Sequence, residues 1–233
     1  MATFILVHGA WSGGFIWRNV ARALRKADHE VYTPTLTGLG ERRHLLNGEI
    51  DLDTHIQDIL GVIDYEDLSG FVLVGHSYGG AVVTGVADAV PERVGSLVYL
   101  DAFVPENGQS LVDIVPAGMA KPSTAAGDHW LSAPIPVERY GETSAQVREY
   151  AARKRLPHPT ACFTQPLKLT GGIGRIRRNT YIYCNHPAPT AFTPVYERLR
   201  NKPGWTVHTL PCTHFAQLDM PDELTTLLLQ AAA

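Results

Sequence analysis

The chemistry in this chain starts at Gly75-His76-Ser77-Tyr78-Gly79-Gly80. The hexapeptide follows the apolar run Phe71–Val74 and opens a helical pattern over Gly79–Ala89 that Pro91 closes. A G-x-S-x-G sequence between a strand and a helix is the setting of a nucleophile elbow, a turn that holds serine in a tight backbone conformation and exposes its hydroxyl. Small residues on either side let strand and helix approach, which gives Gly75 and Gly79 a steric role. The hydroxyl then stands at a helix N-terminus, where main-chain N–H groups can stabilise a developing oxyanion. The plainer alternative is a chance pentapeptide in a turn; the flanking elements argue against it.

Serine is a poor nucleophile without a base. Of ten histidines, His214 is singled out by position, after an apolar strand and before the last helix, where enzymes with such an elbow carry their base. His76 sits inside the elbow, His29 and His208 flank or occupy strands, and His55 lies on a helix; each reads as a packed or solvated residue. A third signal is His8-Gly9-Ala10-Trp11 at the end of the first strand, in the place of the loop that donates the second oxyanion N–H. Ala10 and Tyr78 are the expected donors, both through the main chain. Alternatively Gly9, Gly13 and Gly14 serve only a tight turn.

These residues need a scaffold. Strands are expected at Thr3–Val7, Val31–Pro34, Phe71–Val74, Ser96–Leu100, Thr180–Cys184 and Thr206–Leu210. Helices are expected at Trp17–Ala27, from an N-cap at Asp53 to about Tyr65, at Gly79–Ala89, around Thr193–Asn201 and near Pro221–Leu229. Short apolar runs alternating with helical patterns predict an α/β domain, a mostly parallel sheet with helices on both faces. The rhythm breaks from about 104 to 178, a stretch rich in Pro, Gly, Ser and Thr with one clear helix at Ser144–Arg155. A long insertion between sheet strands reads as a cap over the C-terminal strand edges, where open α/β sheets bind ligands.

Composition bounds the rest. At 233 residues one domain with one core suffices, since single cores work up to ~250 residues. With 45% hydrophobic and 18% charged residues and a net charge of -3, nothing suggests a nucleic-acid partner; Arg175, Arg177 and Arg178 read as a solvated turn. No segment approaches the ~20 apolar residues that span a bilayer. Cys162, Cys184 and Cys212 share no metal-ligand spacing and read as free thiols. A cytoplasmic protein is expected, and a homodimer is compatible with the sequence.

His8-Gly9-Ala10-Trp11, the elbow and the terminal Cys212-Thr213-His214-Phe215 together resemble the small esterase branch of the α/β-hydrolase superfamily. Plant methylesterases, hydroxynitrile lyases and bacterial esterases that open xenobiotic esters and carbamates belong to that branch. Thr35-Leu36-Thr37-Gly38-Leu39-Gly40-Glu41-Arg42 looks like the bacterial members. The resemblance spans the chain apart from the insertion. It departs at one point: such relatives carry the triad aspartate just after the strand read as Thr180–Cys184, and this chain has Asn185-His186-Pro187 there. Asp101, at the end of the strand after the nucleophile helix, is the expected substitute, a placement seen in haloalkane dehalogenases and some lipases of the fold. It could instead cap the start of the insertion. Glu197 lies inside a helix, and Asp219 and Asp222 follow His214, which would break the nucleophile–acid–histidine order.

The resemblance implies hydrolysis of a small-molecule ester through Ser77, His214 and Asp101, with no cofactor and no metal. Trp11, Phe215 and Trp130 are the expected substrate contacts, and Trp130, Tyr140, Tyr150 and Phe163 the expected apolar lining of the cap. A hydroxynitrile lyase, which carries lysine where Phe215 stands, and a ligand receptor with slow turnover are the rival readings.

Overall fold

The structure is a computed structural model that describes residues 1–115, 130–188 and 190–233. Six strands form one parallel sheet: β1 (Thr3–Val7), β2 (Glu30–Tyr32), β3 (Phe71–His76), β4 (Val94–Leu100), β7 (Asn179–Cys184) and β8 (Trp205–Leu210). Their order is β2-β1-β3-β4-β7-β8. Side chains alternate across a strand, and the sheet uses both faces. Ile5, Val7, Leu73, Leu97, Tyr99 and Tyr181 face one core, with α2 (Leu52–Tyr65) and α3 (Gly79–Ala89). Phe4, Leu6, Val72, Val74, Val98 and Ile182 face the other, with α1 (Arg18–Lys26) and α9 (Pro221–Ala232). This double burial explains why the central strands read as unbroken apolar runs.

Several boundaries differ from expectation. The second strand is Glu30–Tyr32 rather than Val31–Pro34. A 3-10 turn over Gly14–Trp17 precedes α1, so Trp17 caps that helix. Asp51, not Asp53, caps α2: its carboxylate accepts the N–H (2.9 Å) and hydroxyl (2.8 Å) of Thr54, a reciprocal capping box. Asp53 accepts instead from the Gln165 amide at 2.9 Å. The helix after β7, α7, runs over Thr193–Leu199, and α9 continues past Leu229 to Ala232.

Between β4 and β7 the described chain forms only short elements: α4 (Leu111–Ile114), β5 (Leu131–Ser132), a 3-10 turn at Val137–Tyr140, α5 (Ala145–Lys154), β6 (His158–Pro159), α6 (Ala161–Thr164) and a 3-10 turn at Gly172–Arg175. β5 and β6 pair antiparallel. Ser144 caps α5 by accepting from Val147 N–H, and Arg155 ends it. Trp11 ties this region to the end of β1 through three hydrogen bonds. Its N–H donates to His158 Nδ1 (3.3 Å), its indole N–H to the Ser132 carbonyl (2.9 Å), and its carbonyl accepts from Leu156 N–H (3.2 Å). A short α8 (Ala216–Asp219) precedes α9. Among the described residues no helix is long and apolar enough to cross a membrane.

Candidate active site

Ser77 lies between β3 and α3 with φ +55, in the left-handed region that non-glycine residues adopt at cost. The surroundings hold it there: its N–H donates to Leu100 O at 3.2 Å, and its carbonyl accepts from Gly80 N–H (3.0 Å) and Phe103 N–H (3.2 Å). A Cβ on Gly75 would come within 2.6 Å of Gly79 O, and one on Gly79 within 2.7 Å of His8 O. Both glycines therefore have the steric role expected of them. Among the described residues no acceptor takes the main-chain N–H of Ala10 or Tyr78.

His214 follows β8, and its ring is held from several sides. Its Nδ1 lies 2.7 Å from Asp101 Oδ2, with both side chains buried. The His214 carbonyl meets His76 Nε2 at 2.8 Å, which fixes the histidine loop to the elbow. Tyr140 and Phe192 stack on the imidazole with centroids 4.7 and 5.1 Å away and planes 9° and 7° apart. Burial lowers the pKa of His214, and the Arg155 guanidinium acts in the same direction. The ring therefore stays neutral, the form a base needs.

Asp101 reaches the histidine because β4 ends at Leu100 and the chain turns there, with φ +40 at Asp101. Its N–H donates to Ile182 O at 2.7 Å, and Oδ1 accepts from Cys184 N–H at 3.2 Å. Burial pushes the carboxyl pKa up and the Cys184 N–H pulls it down; donation from the imidazole also favours the carboxylate. Two of the other candidate carboxylates are engaged elsewhere. Asp219 accepts from the Thr213 and Ser144 hydroxyls at 2.5 and 3.0 Å, and Glu197 pairs with Arg200 at 2.7 Å. Asn185 and His186 spend their N–H groups on Leu210 and Cys212 carbonyls.

Two small cavities meet at Ala10, Trp11, Ser77 and Tyr140. One is apolar and aromatic, walled by Phe103, Leu111, Ile135, Phe163 and Phe192. The other carries His214, Ser12, Tyr150, Arg155 and Phe215. Of the expected contacts, Trp11 and Phe215 line these cavities; Trp130 does not. It is 36% exposed and packs near Gly48, because the Thr160 N–H bond to its carbonyl fixes its main chain beside β6.

Behind Tyr78 lies a buried group, His55, His158 and Cys162, whose ligand-type atoms lie within 4.8 Å of one another. Their lone pairs are already used. His55 Nε2 faces the Thr37 carbonyl (3.0 Å) and so carries the proton, leaving Nδ1 to accept from the Tyr78 hydroxyl at 2.8 Å. His158 Nδ1 accepts from Trp11 N–H, and burial pushes the Cys162 thiol up to about 12. The donor set does not fit a metal; it holds Tyr78 and the Trp11 main chain.

The model of the alpha/beta hydrolase family matches residues 4–227. The chain belongs to the α/β hydrolase family. A carbendazim-hydrolysing esterase of Nocardioides sp. (strain SG-4G) is 44% identical to this hydrolase, over 96% of this chain and 97% of that protein. An extracellular α/β-hydrolase from a Paenibacillus species superposes with a TM-score of 0.84 at 26% identity, covering 99% of each chain. A methylesterase from Arabidopsis superposes with a TM-score of 0.78 at 21% identity, over 99% of this chain and 98% of that one, and shows the fold.

Sequence reasoning missed four residues of this hydrolase's site: His76 as anchor of the histidine loop, Phe192 as a ring on His214, His158 as acceptor for Trp11, and Arg155 in the cavity. Tyr140 was expected in an apolar lining but not against His214. All but His76 lie outside any motif, and in the sequence Arg155 looks no different from Arg153 on the same helix.

Proposed function

We propose that this α/β hydrolase cleaves a small-molecule carboxylic ester, or a related carbamate or lactone, through an acyl-enzyme. The observation that carries the reading is the 2.7 Å contact between His214 Nδ1 and Asp101 Oδ2 beside a cavity shared by His214 and Ser77. Ser77 Oγ attacks the carbonyl carbon as His214 takes its proton. Main-chain N–H groups of Ala10 and Tyr78 hold the oxyanion, and Asp101 orients the ring and stabilises the imidazolium. His214 then protonates the leaving alcohol, and water, deprotonated by the same ring, releases the acid. Relatives named as esterases support a carboxylic ester hydrolase.

The segment expected as a cap over about 104–178 is described at 104–115 and 130–178, residues 116–129 lying outside the described residues. The described part serves as the cap of a single domain, with Ile135, Tyr140, Tyr150, Arg155 and Phe163 lining the two cavities. Three free, buried cysteines support a reducing, cytoplasmic location.

The test is a panel of p-nitrophenyl, methyl and carbamate esters with the parent and Ser77→Ala. The variant is expected to lose several orders of magnitude in turnover while keeping its fold, and a fluorophosphonate should label the parent alone. An active Ser77→Ala protein, or mandelonitrile cleaved in preference to every ester, would overturn the reading.

A further inference from the structure

Arg155 brings a cation to the reaction site with no acidic partner among the described residues. The residue lines the cavity that contains Ser77 and His214; its guanidinium lies 5.3 Å from the Trp11 ring centroid and donates through Nη1 to the Ile135 carbonyl. No carboxylate among the described residues lies within ion-pair distance of it. Guanidinium carries five N–H donors in a planar fork; the Ile135 carbonyl takes one. Its charge is felt at His214, Tyr140 and Tyr150.

The position is built, not incidental. Arg155 ends α5, and the next residue, Leu156, donates its N–H to Trp11 O at 3.2 Å. That bond ties the arginine to the loop carrying Ala10. Arg155 is partly buried, and none of its nitrogens is both buried and without a partner. The donors not used by Ile135 therefore stay accessible to water or to a ligand carboxylate, which fits the guanidinium fork better than water does.

We infer that Arg155 is a substrate-binding residue that takes a carboxylate on the acyl arm of the ester. The preferred substrate then carries a planar anion on one side of the scissile carbonyl and an apolar or aromatic alcohol on the other. The alcohol lies in the cavity walled by Phe103, Phe163 and Phe192. The carboxylate matches the fork in two parallel N–H···O bonds. This assignment rests on the esterase reading above and narrows it to half-esters of short dicarboxylic acids.

The test compares the mono-p-nitrophenyl ester of glutaric acid with p-nitrophenyl pentanoate, equal in chain length and differing in the terminal carboxylate. In the parent, kcat/KM should favour the glutarate ester, and the preference should shrink as NaCl rises from about 0.05 to about 0.5 M. Arg155→Gln should lower the ratio of the two kcat/KM values by about tenfold or more, chiefly through KM for the glutarate ester. Arg155→Lys, which keeps charge but not the fork, should fall between. An unchanged ratio in Arg155→Gln, or a parent with no preference, overturns the assignment. Should Arg155→Gln fail to fold, inhibition of the parent decides: pentanoate must inhibit more strongly than pentanamide, with salt removing the difference, and equal inhibition overturns the assignment. A parent that cleaves the neutral ester without these effects refutes only the role of Arg155; a parent that cleaves neither ester refutes the esterase reading itself.

Discussion

At the scale of single residues, the site depends on holding two charge-sensitive groups out of water without charging the wrong one. His214 is buried with Tyr140 and Phe192 stacked on its ring. These surfaces restrict its rotation and leave Asp101 as the group that fixes its tautomer. Replacing that carboxylate by an amide keeps the shape and removes the negative charge. The Asn amide can then present N–H where the imidazole needs an acceptor, which favours the wrong tautomer. Asp101→Asn should therefore lower turnover by ~10⁴, the size seen when a triad aspartate is amidated. Steady-state kinetics beside a melting curve checks this. A purely structural Asp101, which accepts from Cys184 N–H at 3.2 Å, would give the reverse: near-normal turnover and a lower melting temperature.

At the scale of elements, one side chain of α3 gathers four hydrogen bonds from the chain as it returns from the β4–β7 connection. Asp88, near the end of α3, accepts from Thr170 N–H (2.5 Å), the Thr170 hydroxyl (2.9 Å), Gly171 N–H (3.1 Å) and Ile173 N–H (2.9 Å). Burial alone would raise its pKa, but these four bonds lower it. Asp88→Ala leaves three main-chain donors without their acceptor. A cost of about 2–4 kcal/mol follows from the loss of bonds to a charged group. For a chain of this size that corresponds to roughly 5–12 °C in melting temperature. Because Asp88 lies on α3 well beyond Ser77, KM for any ester should stay within about twofold of the parent. A melting temperature unchanged within about 1 °C would show that the connection is held by other contacts.

At the scale of the whole molecule, burial of histidine sets the response to acid. Burial lowers the pKa of His8 (to about 4), His55, His76, His158 and His214 below the ordinary value. In the unfolded chain these rings take up protons near pH ~6.5, while the folded protein excludes them. The unfolded state thus binds more protons, and stability falls as pH drops below about 6.5. Each ring contributes up to ~1.4 kcal/mol per pH unit between its two pKa values. Asp101, pushed up by burial, works the other way, one group against five. Urea unfolding at pH 7.5, 6.5 and 5.5 should show a progressive loss, and equal midpoints would contradict it.

The sequence by itself determined what short-range patterns encode. Apolar runs covered on both faces marked the strands, and the steric demands of a strand–Ser–helix turn marked Ser77. Chain position marked His214. The family resemblance, through the vacancy at Asn185, and the end of β4 together pointed to Asp101 as a candidate acid, and the structure brings Asp101 Oδ2 to 2.7 Å from His214 Nδ1. Caps and exact strand ends were less legible: Asp51 and Asp53 are equally good capping residues by type, and only the Thr54 contact separates them. The tertiary structure alone decided the walls of the site. Phe192 lies on His214, His158 on Trp11, and Arg155 beside Ser77, from segments separated from their partners by 22 to 147 residues. Nothing periodic or local links such pairs; they meet because parallel strands set their C-terminal ends on one edge of the sheet, where the connecting segments fold over it. Trp130 shows the same limit from the other side, an aromatic residue in the right segment that packing leaves outside the cavity.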